Sequence, residues 1–135
     1  MHDVAIRVGR LLEVRFGSPF DLSEVEAFSA GASRLAHEQQ ERLVSCVDMR
    51  SLRTLPPPVA DAFVALLRDS NPRIERTACL LPEESATLRL QIERLHRGAN
   101  NPARRAFEER ATLERWLGEV LRPRERERLA AFLDA

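Results

Sequence analysis

Leu43-Val44-Ser45-Cys46-Val47-Asp48, a polar loop from Met49 to Leu55, and Pro56-Pro57-Pro58 leading into Val59–Leu67 form the stretch that decides the fold. The unbroken apolar run Leu43–Val47 predicts a strand buried on both faces, as in the middle of a covered sheet, ending at Asp48. The prolines suit a helix start, because their φ is preset and the N–H they lack would have no partner there. Val59, Ala62, Phe63, Leu66 and Leu67 then follow the i, i+3, i+4, i+7, i+8 spacing of a helix with one apolar face. Asn71-Pro72 stops it, since the residue before a proline is pushed out of the helical region. Strand, loop and amphipathic helix in this order make half of a βαβ unit.

Towards the N-terminus, apolar residues alternate as Val4, Ile6, Val8 and then Leu12, Val14, Phe16, with Gly9-Arg10 between them. Period-2 patterning around a glycine turn predicts a β-hairpin. Asp21 reads as a helix N-cap with Glu24 three residues on, and Phe20 is placed to staple onto Val25. Leu22, Val25, Phe28, Ala32 and Leu35 carry this helix to about His37, with Gly31 as its weak point.

Towards the C-terminus, Thr77–Leu81 predicts a further strand, and Pro82-Glu83-Glu84 a helix start with Leu88, Ile92 and Leu95 inward. Gly98 is expected to end that helix, and Asn100-Asn101-Pro102 to turn the chain. Arg104–Phe107 forms a last short strand. A helix with Leu113, Trp116, Leu117, Val120 and Leu121 inward follows, broken by Pro123. The tail, residues 123–135, carries Leu129, Phe132 and Leu133 on one side of a final helix. The expected fold class is therefore α/β: a mostly parallel sheet with an N-terminal antiparallel β-hairpin and four to five helices. At 135 residues one domain is expected, large enough to bury ~68% of the surface its unfolded chain would expose.

Bulk properties narrow the function. The 21 basic and 21 acidic residues cancel, so no global field gathers nucleic acid or anionic lipid. Every basic residue is arginine, which excludes Schiff-base and lysine-base chemistry. No apolar run approaches the ~18 residues of a membrane span. Met1-His2-Asp3 does not begin a signal peptide, and a cytoplasmic location is expected. Cys46 and Cys79 each sit in a strand-like run and read as small core residues of a reducing compartment.

No catalytic constellation is legible. His2, His37 and His96 lack ligand neighbours at metal-site spacing, and no cofactor or metal is expected. His37 and His96 read as solvated on polar helix faces, and His2 as part of a mobile terminus. There is no Gly-x-Ser-x-Gly elbow and no glycine-rich phosphate loop. Asp48, at the C-terminal end of a sheet strand, is the one singleton worth testing; such an Asp more often caps the following loop. The segment Arg122–Arg128 holds four Arg and two Glu, and reads as a solvated helix start rather than a nucleic-acid patch.

Three stretches resemble a known family: Val44-Ser45-Cys46-Val47-Asp48 ahead of its loop and helix, Arg76-Thr77-Ala78-Cys79-Leu80-Leu81, and Arg105-Ala106-Phe107 followed by Trp116-Leu117. Over roughly residues 4–121 the chain resembles the STAS fold, in its SpoIIAA-like (STAS/SEC14) bacterial group. The resemblance implies a regulatory domain that acts by binding another protein. In STAS anti-sigma-factor antagonists a serine near the start of the helix after the Asp-ending strand is phosphorylated. Counting from Asp48, that position falls at Pro57 or Pro58, which cannot accept phosphate, while Ser51 and Thr54 lie earlier in the loop. The expectation is a non-enzymatic interaction module with a partner surface of Asp48, Arg50, Ser51, Arg53, Thr54 and Val59. The alternative is a small-molecule or lipid carrier with an apolar pocket between sheet and helices. The tail stripe Leu129, Phe132, Leu133 covers either this domain or a second copy in a homodimer.

Overall fold

In the computed structural model, which describes residues 1–135, ten regular elements follow one another. They are β1 (His2–Ile6), β2 (Leu11–Gly17), α1 (Leu22–His37), β3 (Leu43–Ser51), α2 (Pro57–Ser70), β4 (Ile74–Leu80), α3 (Ala86–Ala99), β5 (Arg104–Phe107), α4 (Arg110–Gly118) and α5 (Pro123–Asp134). A 3-10 turn, Asn71–Arg73, joins α2 to β4. The strands lie in the order β1-β2-β3-β4-β5. β1 and β2 pair antiparallel, and every later neighbour is parallel, as the hairpin and the alternation of strands with helices require.

Alternation along each strand sends residues to two separate cores. Leu12, Val14, Phe16, Leu43, Val47 and Cys79 face α1, α2 and α3. There Phe16 has its ring centroid 4.7 Å from that of Phe20, 4.9 Å from Phe28 and 5.4 Å from Phe63, so one aromatic cluster ties β2, α1 and α2 together. On the opposite face Leu11, Val44, Cys46, Ala78 and Leu80 meet α4 and α5. β3 serves both cores, which is why it reads as an unbroken apolar run.

Several boundaries differ from the sequence reading. β3 does not end at Asp48 but runs on to Ser51, with Asp48 in register with Arg15 on β2 and Leu80 on β4. α3 begins at Ala86 rather than at Pro82, after Glu84 takes a left-handed φ of 52°. It passes through Gly98 and stops at Asn100, the left-handed C-cap. Asp21 caps α1 by accepting the Glu24 N–H, but the Glu24 side chain turns away to Met1 and His2, so the reciprocal half of the capping box is not made. His2 is accordingly a strand residue held by Glu24, not part of a loose terminus.

The tail covers its own chain. Leu129, Phe132 and Leu133 are buried in the second core, so the homodimer expected through them has no surface to use. Charge fixes α5 in place. Arg128 grips Glu13 at 2.6 and 2.8 Å, and the buried Glu125 accepts the backbone N–H groups of Arg10 and Arg122, each at 2.8 Å. Gly9, at φ 57°, makes room for that carboxylate: a Cβ there would lie 2.3 Å from Glu125 Oε2. No helix is long and apolar enough to cross a membrane.

Candidate functional site

Asp48 leaves β3 on the α4–α5 side, where its carboxylate is buried and held from two directions. Arg15 on the neighbouring strand donates through Nη1 at 2.8 Å. Arg50 donates through its backbone N–H at 3.1 Å, through Nε at 2.9 Å and through Nη2 at 3.0 Å. Burial raises the Asp48 pKa, but the Arg50 hydrogen bonds and the two guanidinium charges outweigh it, and the carboxyl is held below its ordinary value. The pair reaches further. Arg50 Nη2 donates to the Leu133 carbonyl at 2.9 Å, and Arg15 donates to that of Phe132 while its guanidinium lies 4.3 Å from the Phe132 ring. Asp48 is thus an anchor for α5. A carboxylate so fully engaged has no lone pair positioned for acid–base work on a ligand.

The chain leaving β3 is fastened rather than free. Leu52 and Leu55 are buried, and the Gln91 side chain of α3 both donates to and accepts from the Leu55 backbone, at 2.8 and 3.1 Å. The Arg53 N–H donates to Ser18 Oγ at 3.1 Å. Between these fixed points Ser51, Arg53 and Thr54 stand exposed, as does Arg50, and Pro56, Pro57 and Pro58 carry the exposed surface onto the first turn of α2. Pro57 opens α2 and Pro56 caps it without a side-chain hydrogen bond. Of the expected surface residues, Arg50, Ser51, Arg53 and Thr54 therefore lie together on one edge. Asp48 and Val59 are buried beneath it, Val59 in the first core and Asp48 under α5.

A second feature lies inside. Between the sheet and α1, α2 and α3 is a cavity of about 240 Å³. Its walls are mostly apolar, but a cross-strand row of buried polar residues, Ser45, Thr77 and Arg104, runs along its sheet side in direct register. His96 joins them with Nε2 3.8 Å from Cys79 Sγ. Burial pushes the Cys79 thiol up to about 12 and the His96 imidazole down to about 4, where the nearby Arg104 charge also disfavours the imidazolium. Both are neutral at pH 7. This is the reverse of the thiolate–imidazolium pair that a cysteine nucleophile needs.

His96 is therefore not the solvated residue its helix suggested. It follows Ile92 by four and Leu88 by eight, a spacing that does place it at the border of the inner stripe. The burial of Arg104 carries no comparable signal: only its strand parity with the inward Ala106 hints at it. Cys46 and Cys79 are buried and free, on opposite faces of the sheet, which rules out the disulfide that adjacent strands would otherwise allow. No group of three or more His, Cys, Asp or Glu side chains is placed to share a metal ion.

No family model matches the sequence, and no curated protein matches it either. Solved structures do. The chain is similar to an uncharacterized DUF3478-family protein with a SpoIIAA-like fold from Shewanella loihica PV-4, with TM-score 0.64 at 16% identity over 86% of this chain and 93% of that one. It is also similar to the anti-sigma factor antagonist SpoIIAA in its unphosphorylated form, with TM-score 0.62 at 16% identity over 90% of this chain and all of that one. At such identity the likeness speaks to the fold, and the fold is SpoIIAA-like, the STAS architecture.

Proposed function

We propose that this SpoIIAA-like domain is a non-enzymatic regulatory module that captures another protein on the edge formed by Arg50, Ser51, Arg53, Thr54 and Pro56–Pro58. The observation that carries the reading is the fastening of that edge. Buried Leu52 and Leu55, the Gln91 clamp and the Ser18 bond hold a loop of exposed polar side chains in one shape. A preorganised surface loses little entropy on binding, which is what a recognition edge needs. The partner class is that suggested by the similar anti-sigma factor antagonist: a protein of the anti-sigma factor type.

The same geometry bears on control. In the STAS antagonists the phosphorylated serine stands at the start of this helix; here Pro57 and Pro58 occupy its first turn. A domain with no hydroxyl at that point captures its partner without toggling there, unless Ser51 or Thr54 takes over the role. The test is a crosslinking pull-down from a lysate of the host, comparing the native chain with Arg53→Glu/Thr54→Glu. Those two side chains are exposed and bonded to nothing else, so circular dichroism should stay native. A protein captured by the native chain and lost with the double variant supports the edge; equal capture by both removes it.

One observation favours a second reading, a carrier of a small apolar ligand. The 240 Å³ cavity exceeds the roughly 150 Å³ that suffices for a benzene molecule in an engineered protein interior.

A further inference from the structure

Arg104 is the one arginine whose residue is buried outright, with 6% of its surface exposed, yet it makes no ion pair. The less buried Arg10, Arg15, Arg76, Arg110 and Arg128 all have a carboxylate within 4.0 Å. The acceptors of Arg104 are neutral. Nε donates to Asn71 Oδ1 at 3.0 Å, Nη1 to Thr77 Oγ1 at 3.2 Å, and Nη2 to the Leu67 carbonyl at 3.1 Å and Ser70 Oγ at 3.0 Å. These bonds pin the last turn of α2, where a cation also suits the helix dipole. They use four of the five N–H donors of a guanidinium, and the remaining one, on Nη1, has no protein acceptor. A buried cation is costly without a counter-charge, and here the space beside it is a cavity.

We infer that the cavity binds a small amphiphilic monocarboxylate, with its carboxylate on Arg104 and its apolar body against α1 and α2. This rests on the carrier reading and narrows it to a ligand class; it is independent of the partner edge. The two kinds of lining residue match such a molecule. Arg104 and the Thr77 hydroxyl supply donors beside the neutral His96, while Phe63, Leu66, Ala32 and Ala36 line the apolar part. Exposed lining residues mark the mouth between α1 and α2: Ser33, Asp69 and Arg73, where the acid and the base offset one another and leave Arg104 to choose the head group. A carboxylate fits this choice because it accepts from a guanidinium in charge-assisted bonds that an alcohol cannot match. The modest volume favours a chain of medium length over a long one.

The test is calorimetric titration of the purified full chain with octanoate, 1-octanol and octylammonium, each as the probe itself. Octanoate is expected to bind one to one and at least about tenfold more tightly than octanol, the ratio that one charge-assisted hydrogen bond supplies. In Arg104→Gln that preference should vanish. Because Arg104→Gln also loosens α2, Ala36→Phe serves as a second variant that fills space at the apolar wall and leaves Arg104 untouched; octanoate binding should be lost with native circular dichroism. Equal binding of octanoate and octanol, or tighter binding of octylammonium, overturns the carboxylate assignment while the carrier reading stands. Octanoate binding that survives Ala36→Phe unchanged overturns the placement in this cavity. No saturable binding of any of the three overturns both the assignment and the carrier reading.

Discussion

Arg50 grips Asp48 from two positions further along the same strand, with Nε 2.9 Å from Oδ1 and Nη2 3.0 Å from Oδ2, and the same Nη2 reaches the Leu133 carbonyl at 2.9 Å. One side chain thus joins the end of β3 to the end of α5. The exposed edge is therefore built on an ionic base that Arg50 shares with it, and substitutions at Arg53 and Thr54 should differ in signature from those in the base.

Removing the base should destabilise the chain. Asp48→Ala leaves the partly exposed Arg15 and Arg50 guanidinium groups without their shared carboxylate, and losing charge-assisted hydrogen bonds of this kind costs about 1.5–3 kcal/mol. Urea unfolding followed by circular dichroism should show a midpoint lowered accordingly. An effect within about 0.5 kcal/mol, the range of ordinary surface substitutions, would mean that the carboxylate is solvated.

Acid should act in two windows. His96 is held down at about 4 by burial and by the Arg104 charge, while the unfolded imidazole titrates near 6.5. The unfolded chain takes up this proton first, so stability should fall as pH drops from about 6.5 towards 4 and gain no further loss from His96 below that. Asp48 acts lower. Its folded pKa is depressed, so its contribution is full above the unfolded carboxylate value and is lost as pH falls through the folded one, below about 3.9. Thermal melts across pH 3–7 should lose the upper window in His96→Gln and keep the lower one. An unchanged pH profile in that variant would place the imidazole in solvent.

The tail offers a further test. Phe132 is buried in the second core beneath the Arg15 guanidinium, so Phe132→Ala should cost about 3–5 kcal/mol. Sedimentation velocity should give the same oligomeric state for this variant and the native chain at equal concentration. A native dimer that Phe132→Ala dissociates into folded monomers would contradict the intramolecular packing of α5.

Thiol chemistry checks the interior directly. Both cysteines are buried, the Cys79 thiol is pushed up to about 12, and that of Cys46 is raised well above its ordinary value by burial. At pH 8 an alkylating reagent should modify the native chain only as fast as it opens, and the urea-unfolded chain at the rate of free cysteine. Prompt labelling of Cys79 in the native state would mean that the cavity wall is open to solvent and that the thiol is not held neutral.

Much of this architecture was legible in the residues, because it rests on periodicity. Val4 to Phe16 alternates around Gly9, and the stripes behind Pro58 and around Leu88 repeat at helical spacing; each became the element its period implies. Most of the misreadings come from a partner remote in sequence. Asp48 looked like a strand end because an aspartate is a poor strand residue alone; Arg15, a neighbour only after the sheet forms, lets the strand run on. The burial of Arg104 had little signal in the sequence, because Asn71, Ser70 and Thr77 gather around it only in the fold. Asn100 stopped α3 in place of Gly98 because asparagine also tolerates the left-handed conformation, and spacing alone does not choose between them. The exposure of Arg50, Ser51, Arg53 and Thr54 was readable from the loop's polarity. Its fastening through Gln91 and Ser18 was not, since neither residue is near the loop in sequence.

The partner edge itself is most directly tested by hydrogen–deuterium exchange of the native chain, alone and with the protein it captures. New protection is expected only over residues 50–59, with α4 and α5 unchanged. Protection that falls instead on α4 and α5 and leaves residues 50–59 exchanging as before would contradict it.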